Sequence, residues 1–176
     1  MSNVHLSVAA PSAWVQRWAP QVRKGGAVLD VACGSGRHSR FFALLGHVVD
    51  AVDRDAAAIS ALAETPGIHA LCADIEIGPW PYAGRQFAAV IVTSYLCRPL
   101  FPALMAAIAP GGLLIYETFA EGNEAYGRPA NPDFLLRRGE LLERVGAMQV
   151  LAFEDLYADL PKPAVVQRIC ATMPDR

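Results

Sequence analysis

Apolar residues fall into two kinds of run along the chain. Unbroken apolar blocks alternate with stretches where apolar positions recur every three or four residues. The first kind is the signature of a buried strand, the second of a helix lying on a sheet. Strands are expected over 27–32, 47–52, 68–73 (weaker), 87–93 and 113–119, with a final pair over 148–157 and 165–172. Helices are expected over 11–19, with Ser12 as N-cap, over 37–45, closed by Gly46, and over 55–63, with Asp55 at the positive end of the dipole. Two more follow, over 100–109, stopped by Pro110, Gly111 and Gly112, and over 140–145, ended by Gly146. The early strands are apolar on both faces, which points to a parallel sheet. The last two are close enough in sequence to form an antiparallel hairpin around Pro161 and Pro163.

Three segments break the pattern. Residues 23–26 read as a turn. Gly78, Pro79 and Pro81, flanking Trp80, forbid regular structure. Residues 120–137 carry Gly122, Asn123, Gly127, Pro129, Asn131 and Pro132, and read as an irregular excursion. A loop this long in a compact domain is expected to cover a site.

Composition narrows the class. At 176 residues the chain fits one domain, 1–176. Hydrophobic residues make up 53% and charged residues 18%, so a packed core is expected rather than disorder. A net charge of −2 disfavours a broad electrostatic grip on nucleic acid. The apolar runs are far short of the ~20 residues that cross a bilayer. No basic stretch followed by an apolar one opens the chain, so a soluble cytoplasmic protein is the expectation. Cys33, Cys72, Cys97 and Cys170 form no Cys-x-x-Cys pair and have no histidine at ligand spacing, so buried reduced thiols are expected and no metal site. Trp14 and Trp18, four apart on one helix, read as core.

The candidate chemistry lies between the first strand and the first long helix, in Asp30-Val-Ala-Cys-Gly-Ser-Gly36. Gly34 and Gly36 let backbone approach a ligand closely. Asp53 ends the next strand, about twenty residues on, where an acid accepts ribose hydroxyls. A dinucleotide site wants a third glycine and amides free for a pyrophosphate. Here Ala32 and Ser39 take the first and last glycine positions, and Asp30 would repel a pyrophosphate but attract a cationic amine.

These residues resemble the motif Asp/Glu-x-Gly-x-Gly-x-Gly of class I S-adenosylmethionine-dependent methyltransferases, departing from it at Ala32. Asp53, Asp74, the block 87–93 and the turn 110–112 are similar to later motifs of the same family. The segments 95–102 and 116–119 look like its small bacterial tellurite-resistance-like members. The resemblance implies an α/β fold, a three-layer Rossmann-like sandwich on a seven-stranded, mostly parallel sheet with an antiparallel last strand. It implies S-adenosyl-L-methionine as cofactor. The cofactor-binding set it implies is Asp30, Ala32, Cys33, Gly34, Ser35, Gly36, Arg37, Asp53, Arg54, Asp74, Ile75 and Thr93. Cys33 is expected as a packing residue, and His38 either touches the cofactor or is solvated at the helix start.

Thr93, Ser94 and Tyr95 end the fourth strand, beside the switch point where such sheets bind ligands. Tyr95, Arg98, Tyr116 and Glu117 are the catalytic candidates, with Tyr126 and Arg128 on the same side. The Asn/Asp-Pro-Pro-Tyr/Phe motif of base-amino methylation is replaced by Thr93-Ser-Tyr-Leu96. A small-molecule methyl acceptor is therefore the first reading. An RNA or protein methyltransferase is the alternative, and a non-catalytic S-adenosylmethionine-binding sensor or subunit the alternative of another class. The pattern names neither the acceptor nor the oligomeric state.

Overall fold

The computed structural model describes residues 9–175. Its centre is a sheet of β1 (Val28–Val31), β2 (Val49–Asp53), β3 (Ile68–Cys72), β4 (Phe87–Thr93), β5 (Ile108–Phe119), β6 (Gln149–Ala158) and β7 (Ala164–Thr172). The strands lie in the order β3-β2-β1-β4-β5-β7-β6. Every pairing from β3 across to β5 is parallel. β7 is antiparallel to both β5 and β6, so it alone runs against the rest. This is the seven-stranded, Rossmann-like arrangement expected from the sequence. The order reverses between β1 and β4, which opens a cleft at the carboxyl ends of these strands.

Successive strand residues face opposite layers. On one face, α1 (Ala13–Trp18), α2 (Arg37–Leu44) and α3 (Ala56–Ala63) bury Trp14, Phe42 and Leu62 against Val28, Ala51 and Ile91. On the other, α4 (Phe101–Ala106) and α5 (Glu140–Arg144) bury Phe101, Leu104 and Leu141 against Leu29, Val90 and Leu114. Ser12 caps α1 by accepting the Trp14 N–H, and Asp55 caps α3 by accepting two amides. Trp14 is buried and meets Trp18 edge to face, as its helical spacing suggests. Turns replace a helix between β3 and β4. There Tyr82 packs edge-on against Phe87, and Arg85 forks onto the buried Asp50 carboxylate with two 2.8 Å bonds.

The fourth helix differs from expectation. The chain makes a short 3-10 turn, Arg98–Leu100, and α4 then ends at Ala106 instead of running to 109. β5 has begun before Pro110, with Ile108 already paired to Phe87. Proline and glycine normally end an element, but here a register shift between Phe87 and Ala89 absorbs them inside a strand. A side chain at Gly112 would sit 2.9 Å from the Phe87 carbonyl oxygen, so the strands approach closely there. The chain end completes the ladder, since Gly111 N–H donates to Met173 O and Met173 N–H to Gly112 O. The cysteines also depart from a uniformly buried set. Cys33 and Cys170 are buried, Cys97 is intermediate and Cys72 is exposed.

Candidate functional site

Leaving β1, the backbone turns through three left-handed residues: Ala32 (φ +52°), Gly34 (φ +52°) and Gly36 (φ +75°). The two glycines serve different purposes. A Cβ on Gly36 would overlap the Leu62 side chain, so Gly36 lets α3 pack against the loop. A Cβ on Gly34 would meet nothing within 4 Å, so that position faces open space. Gly34 N–H donates to Asp53 Oδ2 at 2.8 Å, and Asp53 Oδ1 accepts the Asp55 N–H at 2.9 Å. Two backbone amides therefore aim this carboxylate at the end of β2.

A cavity of about 320 Å³ opens here, at the carboxyl ends of the strands. Ala32, Asp53 and Arg54 form one side, and Asp74, Ile75 and Glu76 the floor beyond β3. Ser94, Tyr95 and Leu96 come from the end of β4, and Thr118 and Phe119 from β5. Pro129 and Phe134 reach in from the loop 120–137. Of the residues singled out in the sequence, Ala32, Asp53, Arg54, Asp74, Ile75, Ser94 and Tyr95 are thus brought together.

Others are placed elsewhere. Asp30 is 1% exposed and points toward α2, where Ser39 Oγ donates to it at 2.5 Å. Burial raises its carboxyl to about pKa 6, against the Ser39 hydrogen bond, which lowers it. Cys33 is buried beside it, and burial pushes its thiol far above the ordinary range, so it is no ready nucleophile. Ser35 is exposed, and Arg37 extends to the Ala10 carbonyl at 3.4 Å. Thr93 turns away from the cavity toward His38.

His38 is not solvated. It is 1% exposed and sits between two partners. Ser12 N–H donates to Nε2 at 3.1 Å, and Thr93 Oγ1 lies 3.3 Å from Nδ1. Burial, with the Arg37 charge adding to it, lowers the ring to about pKa 3, so the imidazole is neutral. Its Nε2 therefore accepts and its Nδ1 carries the proton toward Thr93. Its position at the first turn of a helix gave no sign of this, because the covering segment lies 26 residues earlier in the chain.

The four catalytic candidates separate in space. Tyr95 lines the cavity and donates to Glu76 Oε1 at 3.1 Å. Burial, with Cys97 and Glu76 adding to it, pushes its phenol up, so it stays protonated. Tyr116 is fully buried, stacked on Phe101, and donates to the Tyr95 carbonyl at 2.8 Å. Glu117 accepts the Ser12 hydroxyl at 2.6 Å and pairs with Arg168 at 3.3 Å, on the α1 side of the sheet. Arg98 reaches the cover loop. It donates to the carbonyls of Asp133 and Leu135, both at 2.8 Å, and forks onto Glu140. Glu76, Thr118, Phe119, Pro129 and Phe134 were not named as site residues in the sequence, although Pro129 and Phe134 lie in the loop expected to cover a site. Alternation along β5 placed Thr118 on the Tyr116 face, but only the strand's full extent puts it at the cavity.

The donor set suits a nucleoside with a cationic tail better than a pyrophosphate. Two acids, Asp53 and Asp74, face the cavity, and Ile75, 7% exposed, offers an apolar contact beside them. Gly34 leaves room for close backbone approach, and the buried Asp30 adds negative charge under the loop.

The comparisons agree with this geometry. Residues 13–77 match the family model described as tellurite resistance protein TehB. None of the curated proteins compared with the chain matches it in sequence. Among solved structures, TehB from Haemophilus influenzae superposes with a TM-score of 0.76 at 19% identity. That match covers 96% of this chain and 64% of TehB, so the chain spans under two thirds of that protein. A TehB-like S-adenosylmethionine-dependent methyltransferase from Corynebacterium glutamicum gives 0.67 at 15% identity, covering 91% of this chain and 86% of the other. The [4+2]-cyclase SpnF gives 0.71 at 15% identity, covering 92% and 80%. The resemblance is thus matched in sequence over residues 13–77, by the tellurite resistance protein family model, and in fold over nearly the whole chain. That the same fold carries a cyclase means the activity must be argued from the site.

Proposed function

We propose that this chain is an S-adenosylmethionine-dependent methyltransferase acting on a small-molecule acceptor. The observation that carries the reading is the pairing of Gly34 with Asp53. Gly34, with open space where a side chain would be, donates its N–H to Asp53, and the acid so oriented at the end of β2 faces the cavity at the switch point of the sheet. Asp53 takes the ribose hydroxyls in this reading, while Asp74 and Ile75 hold the base. Ala32, Gly34 and the backbone of Cys33 and Ser35 bound the amino-acid end, with Arg54 at the rim. Gly36, Arg37 and Thr93 act behind them by shaping the loop and the His38 contact.

Bound there, S-adenosylmethionine supplies an electrophilic methyl carbon, to which the acceptor's lone pair bonds as the carbon–sulfur bond breaks and its electron pair stays on sulfur. The chain's part is alignment and exclusion of water, which can supply about 7–11 kcal/mol in favourable cases. Pro129 and Phe134 close the cavity from the cover loop, and Tyr95 with Glu76 presents a fixed phenol at its side. Both nitrogens of His38 are engaged and the Tyr95 phenol stays protonated. This favours acceptors that need little help losing a proton, such as a thiol, an acidic phenol or a soft anion. A cavity of about 320 Å³ also fits a small molecule better than an RNA or a protein surface. Among the described residues no helix is long and apolar enough to cross a membrane. The cysteines stand as free thiols, which fits a cytoplasmic location.

Calorimetry with S-adenosylmethionine and with NAD tests the reading. S-adenosylmethionine is expected to bind, and Asp53→Ala to weaken it by about 100-fold, as befits a lost charge-assisted pair. NAD binding in place of S-adenosylmethionine overturns the proposal. A labelled-methyl screen over thiols, phenols and metalloid oxyanions then separates an enzyme from a binding subunit.

A further inference from the structure

A second cavity, of about 560 Å³, lies against the first and shares Pro129 and Phe134 with it. Its other walls are Arg128, Ala130 and Asn131, all from the cover loop. Both shared walls are held in place by side chains, Asn123 and Arg98. The buried Asn123, 2% exposed, donates to the Pro129 carbonyl at 3.0 Å and accepts the Val165 N–H at 3.2 Å. Arg98 holds the carbonyls on either side of Phe134, at Asp133 and Leu135. The backbone is pinned, yet the Phe134 ring is 52% exposed. A half-exposed aromatic whose backbone is held on both sides offers an apolar face at a defined place in the cavity wall.

Charge completes the picture. Arg17, Arg85, Arg98, Arg137, Arg144 and Arg168 all pair with carboxylates. Arg128, like Arg23, Arg54 and Arg138, makes no side-chain hydrogen bond or ion pair among the described residues. Of these, Arg128 lines this cavity, which no acid lines. A guanidinium offers a planar fork that matches a carboxylate. The pocket is of a size that holds a small ring compound.

We infer that this cavity is the acceptor subsite and that it takes a planar aromatic carboxylate, the ring against Phe134 and Pro129 and the carboxylate on Arg128. As a place for the acceptor it rests on the methyltransferase reading, because the first cavity then holds the methyl donor.

The test is a titration of the full chain, loaded with S-adenosylhomocysteine, with 4-hydroxybenzoate, 4-hydroxybenzamide and cyclohexanecarboxylate. The benzoate is expected to bind about tenfold more tightly than either of the other two, as one charge-assisted contact or one aromatic contact would give. Arg128→Met is expected to bring the acid and the amide within about twofold of each other, and Arg128→Lys to keep part of the difference. Affinity for S-adenosylhomocysteine should be the same in both variants. Equal binding of acid and amide by the native chain, equal binding of the aromatic and aliphatic acids, an acid preference that survives in Arg128→Met, or absence of saturable binding each overturns the subsite. Titration with S-adenosylhomocysteine alone judges the cofactor reading separately. If that ligand fails to bind, the acid and amide pair still decides whether the aromatic carboxylate site exists.

Discussion

At the scale of single residues, the glycine loop separates conformational need from packing need. Gly34 and Gly36 share a left-handed backbone, so alanine at either costs about 1 kcal/mol from conformation alone. Gly36→Ala also drives a methyl group into the fully buried Leu62, and overpacking adds about 1–3 kcal/mol. In urea unfolding Gly36→Ala should therefore lose clearly more stability than Gly34→Ala. Gly34→Ala, by contrast, should lose affinity for S-adenosylmethionine if the loop backbone meets the cofactor, because its Cβ would fill space now open beside the loop. Ala32 carries the same strain without glycine's freedom. Relief of about 1.5 kcal/mol, less about 0.8 kcal/mol of glycine's unfolded-state entropy, leaves Ala32→Gly stabilised by about 0.7 kcal/mol. An unchanged or lowered urea midpoint would contradict this. The departure from the family motif at Ala32 was legible as a residue. That it is also a backbone strain was not, since φ is set by the turn.

At the scale of elements, the cover loop is fixed in place by Arg98 rather than hung as a free lid. Glu140 is fully buried, which alone would raise its pKa. Hydrogen bonds from Arg98, the Arg137 N–H and Arg144 outweigh this and hold it at about 2. Arg98→Met leaves that carboxylate under-partnered and releases two loop carbonyls, for a loss of about 3 kcal/mol, at the low end for a broken buried pair. Hydrogen exchange should quicken over residues 131–136, and KM for the acceptor should rise more than kcat falls. If protection there stays at the native level, Arg98 does not anchor the loop. The sequence placed an irregular stretch at 120–137 because glycine, proline and asparagine signals are local. It placed Arg98 among the catalytic groups because nothing in its own neighbourhood points to residues 35 and 37 positions later. The helix expected over 100–109 failed for a related reason, since the partner that makes Ile108 a strand residue is Phe87, across the sheet.

At the scale of the whole molecule, two buried carboxyls give stability opposite dependences on pH. Asp30 has a folded pKa of about 6, above its ordinary 3.8, so the native chain binds a proton that the unfolded chain releases. Its contribution therefore rises as pH falls from about 6 to about 4. Glu140 is depressed to about 2 from 4.5, so its contribution is full above about 4.5 and is lost as pH falls toward 2. Urea midpoints across pH 3 to 8 should pass through a maximum near pH 4, where the two windows meet. Asp30→Asn should remove the decline between about pH 4 and 6 and stabilise the chain at pH 7 by on the order of 3 kcal/mol. A decline that persists in that variant would assign it to another group.

By itself the sequence determined the order of strands and helices, the glycine loop and the spacing of Asp53 and Asp74. These depend on periodicity and on backbone preferences within a few residues. Only the tertiary structure decided that His38 is buried beside Ser12 and that Pro110 to Gly112 lie inside a strand. It also decided that Pro129 and Phe134 wall the cavity. Each of these depends on a partner far away in the chain, supplied only when the sheet closes and the layers pack against it.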